Sequence, residues 1–172
     1  MPVQTSDTGD EVLRMMQVYH VRHLPIVNHV QLLGVVSEED VLIHDTDEAV
    51  GTYRLSFLRP FCFRDDHLFE VMAKMGRFKL TIIPVIDKDE TYLGVITMED
   101  LLQYFASYFS FADVGSILVI ETSRSHYSLA EIARIAEAED INILSSFVQS
   151  IPDTQRINIT LKLNRQDILG LK

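Results

Sequence analysis

The chain has 172 residues, 47% of them hydrophobic, with only 7 Gly and 5 Pro, which gives one domain or two small ones a real core and rules out a disordered chain. A formal net charge of −10 argues against a nucleic-acid backbone or an anionic membrane surface as partner. The lone cysteine, Cys62, excludes an internal disulfide and a cysteine metal cluster, and no apolar run nears the roughly 20 residues of a membrane span. Met1 is not followed by a signal-like pattern, so a cytoplasmic protein is expected.

In chain order, a first helix opens with the capping box Thr8-x-x-Glu11, and Val12, Met15, Met16 and Tyr19 give it a buried face. A strand over Leu24-Pro25-Ile26-Val27 and a hairpin loop at 28–31 lead to Gly34-Val35-Val36-Ser37, with Asp40 three residues into the next helix. The same order then returns. Val71, Met75 and Phe78 repeat the helix face, Ile83-Pro84-Val85-Ile86 the strand, and Gly94-Val95-Ile96-Thr97-x-x-Asp100 the motif. The prolines are offset by 59 (84 − 25) and the glycines by 60 (94 − 34), so the second hairpin loop, 87–91, holds one extra residue. Between the copies, 46–63 reads as a connector in which 54–58 extends before Arg59-Pro60.

The aromatic run Tyr104, Phe105, Tyr108, Phe109 and Phe111 reads as part core and part contact with a second module. Beyond it, 116–122 is expected to be a buried strand, and Ser128-x-x-Glu131 caps a helix with Leu129, Ile132, Ala133 and Ala136 on one face. A strand over 141–151, a turn at Pro152-Asp153-Thr154 and the alternation of Ile157, Ile159, Leu161 and Leu163 follow. Asn164-x-x-Asp167 is expected to start a further helix.

The repeated motif carries two readings. Ser37-x-x-Asp40 and Thr97-x-x-Asp100 match a capping box. A strand that ends in a hydroxyl residue and turns into a helix also leaves N–H groups for a phosphate, with an Asp placed to accept from ribose hydroxyls. No catalytic constellation stands out. The six His show no metal spacing, Cys62 reads as a packed thiol, and there is no P-loop or G-x-G-x-x-G.

The paired Pro, Gly, hydroxyl and Asp positions, in register over about residues 5–108, resemble a tandem of CBS motifs, a Bateman module. The resemblance implies an α/β (α+β) fold in which two CBS motifs, 1–45 and 64–112, pack as a pseudo-twofold pair with two clefts. The short strand that usually precedes the first helix is expected to be missing from the first copy. The β-α-β-β-α order of 113–172 is similar to a ferredoxin-like ACT domain lacking its last strand, as in the acetoin-utilisation-type CBS proteins of bacteria. Its first loop, 123–127, has no Gly, unlike amino-acid-binding ACT domains.

The family implies a regulatory module rather than an enzyme, a homodimer, and AMP, ADP, ATP or a related adenosyl ligand. One cleft would use Arg22, His23, Ser37 and Asp40 with Asp66 and His67. The other would use Thr81, Ile82, Thr97 and Asp100 with Asp7 and Thr8. Arg22 and His23 beside the first motif favour the more phosphorylated ligand there. The alternative is a structural dimerisation module with empty clefts.

Overall fold

The computed structural model describes residues 2–56 and 59–168, so the expected extension at Phe57 and Leu58 lies outside the described residues. The chain divides into two compact units, Met1–Leu102 and Gln103–Lys172.

In the first unit, helix α1 (Gly9–Tyr19) starts where Thr8 Oγ1 accepts the Glu11 N–H and the Glu11 carboxylate accepts the Thr8 N–H, as its capping box requires. Strand β1 (His23–Asn28) pairs antiparallel with β2 (Gln31–Ser37), which runs into the short helix α2 (Glu38–Leu42). The second copy repeats this with β3 (Cys62–Phe63), α3 (Leu68–Phe78), β4 (Ile82–Ile86), β5 (Tyr92–Thr97) and α4 (Met98–Tyr108). Both hairpins shift register at the same place, between Ile26 and Val27 and between Val85 and Ile86. That shared bulge shows that the repeat is structural and not only lexical.

One expectation is corrected here. Strand β3 runs parallel to β4, and Val3 fills the same role in the first copy. Its N–H donates to the Pro25 carbonyl at 2.9 Å, and its carbonyl accepts the Val27 N–H at 2.9 Å. The strand thought to be missing from the first copy needs only this one residue.

Each copy has its own core, Val12, Met16, Leu24, Val35 and Val36 in the first and Val71, Met75, Leu80 and Ile83 in the second. The copies are also fused. Ile82 of the second is buried within the first core, and Val27, Leu32 and Ile86 form a shared cluster. Each such side chain, fully buried, contributes about 1.5–3 kcal/mol. The Tyr92 N–H donates to the Val30 carbonyl at 2.7 Å, tying one hairpin to the other. The connector packs on the first copy through buried Val50 and Tyr53, whose ring stacks on His44 at 4.3 Å.

The second unit contains β6 (Ser116–Ser123), α5 (Leu129–Ala138), β7 (Ile143–Ser150) and β8 (Arg156–Leu163), in the sheet order β6-β8-β7 with all pairs antiparallel. Ile157, Ile159, Leu161 and Leu163 face inward with Ala136 and Ile141, as their alternation requires. Strand β6 is half-buried and not buried as expected. Leu118 and Ile120 join that core while Ile117 and Val119, 67% and 57% exposed, lie on the other face of the sheet. Phe105, Phe109 and Phe111 cluster on Phe147, a ring group that is half-buried to exposed and lies outside this unit's buried core. Asn164 starts no helix within the described residues. Its Oδ1 accepts the Asn142 N–H at 2.9 Å and its own N–H donates to the Asn142 carbonyl, which holds the segment against the end of the sheet.

Candidate functional site

The two repeated motifs have the same local geometry and different surroundings. At the first, the Ser37 N–H and hydroxyl donate to Asp40 Oδ2 at 3.0 and 2.7 Å, and the Asp40 N–H donates back to Ser37 Oγ at 3.0 Å. Asp40 is fully buried, 0% exposed. Its other oxygen, Oδ1, accepts the Ser56 N–H at 2.9 Å and the Ser56 hydroxyl at 2.5 Å. Burial alone would raise this carboxyl's pKa, but the hydrogen bonds from Ser56 and Ser37 outweigh it and hold the pKa below the usual range.

At the second motif, the Thr97 N–H and hydroxyl donate to Asp100 Oδ2 at 3.0 and 2.7 Å, and the Asp100 N–H returns to Thr97 Oγ1 at 3.0 Å. The bonds from the Thr97 hydroxyl and N–H lower the Asp100 pKa. Asp100 is exposed, and among the described residues its Oδ1 accepts no hydrogen bond.

Where the copies meet, Thr81 Oγ1 accepts the Arg22 N–H at 2.9 Å and lies 3.0 Å from His23 Nδ1, while the Thr81 N–H donates to the same ring nitrogen at 3.2 Å. A ring nitrogen that accepts an N–H carries no proton, so His23 is neutral here. The Arg22 side chain donates to Glu38 at 2.9 Å and to Glu39 at 3.4 Å. The phosphate-facing cation expected from the sequence is thus already shared between two carboxylates. Arg22, His23 and Ser37 line a cavity of about 300 Å³ together with Phe78 and Lys79.

The remaining candidates have structural roles of their own, four within their own copy and Ile82 in the core of the other. Asp66 accepts from Lys74 Nζ at 2.7 Å and from the Phe63 N–H, bonds that with the lysine's charge lower its pKa. His67 Nδ1 accepts the Phe69 N–H and so caps α3. Asp7 Oδ2 accepts the Gln4 N–H, Thr8 caps α1, and Ile82 is buried. Asp66 and His67 do not line the cavity that holds Arg22, His23 and Ser37. Cys62 is buried, donates to the Pro84 carbonyl at 3.6 Å, and is pushed up to about 11 by burial and the charge of Asp66, which fits a packed thiol.

Sequence reasoning missed three features. Ser56 lies in the connector, outside any repeat, and nothing local marked it. The acid run Glu38-Glu39-Asp40, where the second copy has Met98-Glu99-Asp100, was a readable sign that Arg22 would be paired. A wider cavity of about 860 Å³ between connector and α3, lined by Ser56, Arg59, Phe61, Lys74, Arg77 and Phe78, also drew no signal.

His23 makes the joint between the copies pH-sensitive. Burial, with the charge of Arg22, pushes its pKa below the ordinary value of about 6.5, against the opposing pull of Asp40, Glu39 and Glu38. The unfolded chain therefore binds the extra proton first. Stability from this group is complete above about pH 6.5 and is lost as pH falls towards the lower folded value. Urea midpoints should drop between about pH 7 and pH 5.5, and His23→Gln should flatten that slope.

Fold and motif geometry together define a paired α/β module with a hydroxyl–Asp motif in each half. A family model for the CBS domain matches residues 1–46 and 59–107, and the chain belongs to this family, carrying the domain twice. Among solved structures, a CBS domain pair/ACT domain protein from Thermotoga maritima is 23% identical, with a TM-score of 0.55 over 62% of this chain and 88% of that one. CBSX2 in complex with AMP is 22% identical, with a TM-score of 0.52 over 62% and 87%. The CBS domain pair of a third protein, in complex with 5′-methylthioadenosine and S-adenosyl-L-methionine, is 21% identical, with a TM-score of 0.50 over 61% and 90%.

Among curated relatives, a homoserine O-acetyltransferase from Methanohalobium evestigatum is 32% identical over 98 residues, 54% of this chain and 19% of the relative. An inosine-5′-monophosphate dehydrogenase from Methanocaldococcus jannaschii is 27% identical over 104 residues, 59% and 21%. The chain spans about a fifth of these relatives' length. Among the described residues, no helix is long and apolar enough to cross a membrane.

Proposed function

We propose that the CBS pair is a regulatory module that senses an adenosine-containing nucleotide, AMP, ADP or ATP, at the cleft built on Thr97 and Asp100 with Thr81, Ile82, Asp7 and Thr8. The observation that carries this reading is the exposed Asp100 carboxylate, with one oxygen held by its own motif and the other without a donor among the described residues. An oxygen so placed suits a ribose hydroxyl. Solved CBS structures in complex with AMP, and with methylthioadenosine and S-adenosylmethionine, support the ligand class. Titration of the protein with AMP, ADP and ATP in a calorimeter tests it. One saturable binding heat is expected, and no heat with any of the three sinks the reading.

The module acts, on this reading, in the cytoplasm as a homodimer of a bacterial acetoin-utilisation-type protein, with the second unit as an ACT-like domain. Apolar side chains left open on the helices of the first unit support the dimer: Val18 on α1, Leu42 on α2, Phe69 on α3, and Met98 and Leu102 on α4. Light scattering on the full chain at micromolar concentration should give twice the 19.7 kDa chain mass, and a clean monomer removes the dimer from the proposal.

A further inference from the structure

We infer that Ser56 is a built-in occupant of the ribose position at the first motif, so that the connector and not a ligand closes the first cleft. This rests on the reading that a hydroxyl–Asp pair recognises a ribose diol at the second motif.

A carboxylate accepts at about four lone-pair sites. The two Ser37 donors take two of those on Asp40, and the Ser56 N–H and hydroxyl take the others. A ribose diol offers a carboxylate two hydroxyl donors, and Ser56 brings two donors to Asp40 Oδ1. The second motif is the control within the same molecule. Thr97 and Asp100 complete their hydrogen-bonded box at nearly the same distances with no connector residue involved. Capping of α2 therefore does not require Ser56, and its bonds to Asp40 are additional.

Two further facts agree. Ser56 stands sixteen residues from Asp40 and outside the repeat, so the contact is tertiary rather than part of the motif. Arg22, which would face an anionic ligand in this cleft, is held by Glu38 and Glu39, and those carboxylates put negative charge at its mouth. The first motif has thus traded ligand recognition for a lock on the connector, and the second has kept an open carboxylate.

The test uses the full chain with AMP as probe. Calorimetry of the wild type should give one equivalent per chain, bound roughly ten- to hundredfold more weakly in Asp100→Ala. Ser56→Ala, which removes the hydroxyl, and Ser56→Pro, which removes the N–H, free the Asp40 oxygen, and a second equivalent should appear in at least one of them. Two equivalents in the wild type, or one in both Ser56 variants when they are folded by circular dichroism, overturns the inference. Hydrogen exchange of the Ser56 amide gives a readout independent of nucleotide. If AMP binds nowhere, a protected amide in the wild type upholds the seated connector while the nucleotide reading fails, and an amide exchanging at open-loop rates overturns the inference itself.

Discussion

Asp40→Ala is expected to destabilise the first unit by about 1–3 kcal/mol, because it strips the buried Ser37 N–H of its acceptor and breaks the tie to the connector. The Ser37 and Ser56 hydroxyls can turn to other partners. The Ser37 N–H is fixed by the backbone and loses its acceptor inside the protein, whereas the Ser56 N–H belongs to an exposed residue and water can take over its bond. Leaving a buried donor unsatisfied costs about 1–3 kcal/mol. Asp100→Ala breaks the same box at an exposed position where water takes over, so its cost should be under about 1 kcal/mol. Urea denaturation of the two variants beside the wild type measures the difference directly. Equal midpoints for Asp40→Ala and Asp100→Ala would show that the connector bond contributes nothing to stability. The acid limb carries the same signature. Both carboxyls have lowered folded pKa values, so their stabilisation is present above the ordinary carboxylate value of about 4 and is lost as pH falls through the folded value.

Much of the first unit was legible because it is written twice. Pro25 and Pro84, Gly34 and Gly94, Ser37 and Thr97, and Asp40 and Asp100 stay in register, and a pattern that repeats at fixed spacing reports backbone geometry rather than chance. The one-residue difference in offset fell in the loop the pattern pointed to, and both strands bulge at the same step. The alternation of Ile157 to Leu163 likewise fixed the inward face of β8. Strand β6 misled because a run of β-branched and aliphatic residues does not tell a two-sided strand from a one-sided one.

The site was less legible, because its asymmetry lies in tertiary contacts. Sequence spacing gave the boxes on Ser37 and Thr97. It did not tell that Ser56 would reach Asp40, that Glu38 and Glu39 would hold Arg22, or that His23 would turn to Thr81. Each of those bonds joins segments at least sixteen residues apart, and a local pattern carries no record of them. The four candidates Asp7, Thr8, Asp66 and His67 all have local roles in the described structure, as turn or cap residues or as ion-pair partner. A polar residue near a helix start serves the helix first, and a ligand then competes with that use.

Asp100→Ala should weaken AMP binding roughly ten- to hundredfold. The carboxylate is already ionised, with a lowered pKa, so no proton has to leave before it accepts from a ribose hydroxyl. A hydrogen bond to a charged group contributes about 1.5–3 kcal/mol, which converts to that range of affinity. The loss could also come from a slackened α4 start, since the box with Thr97 goes too. Comparing AMP with its 2′-deoxy analogue separates these causes. If Asp100 reads the diol, the wild type should prefer AMP by a similar factor and Asp100→Ala should bind both forms alike, a coupling visible as a double-mutant cycle between residue and hydroxyl. A slackened helix start would weaken both ligands equally and leave the preference for AMP intact. Calorimetry on the two proteins with the two ligands gives the four values, and a preference for AMP that survives in Asp100→Ala removes this carboxylate from ribose recognition.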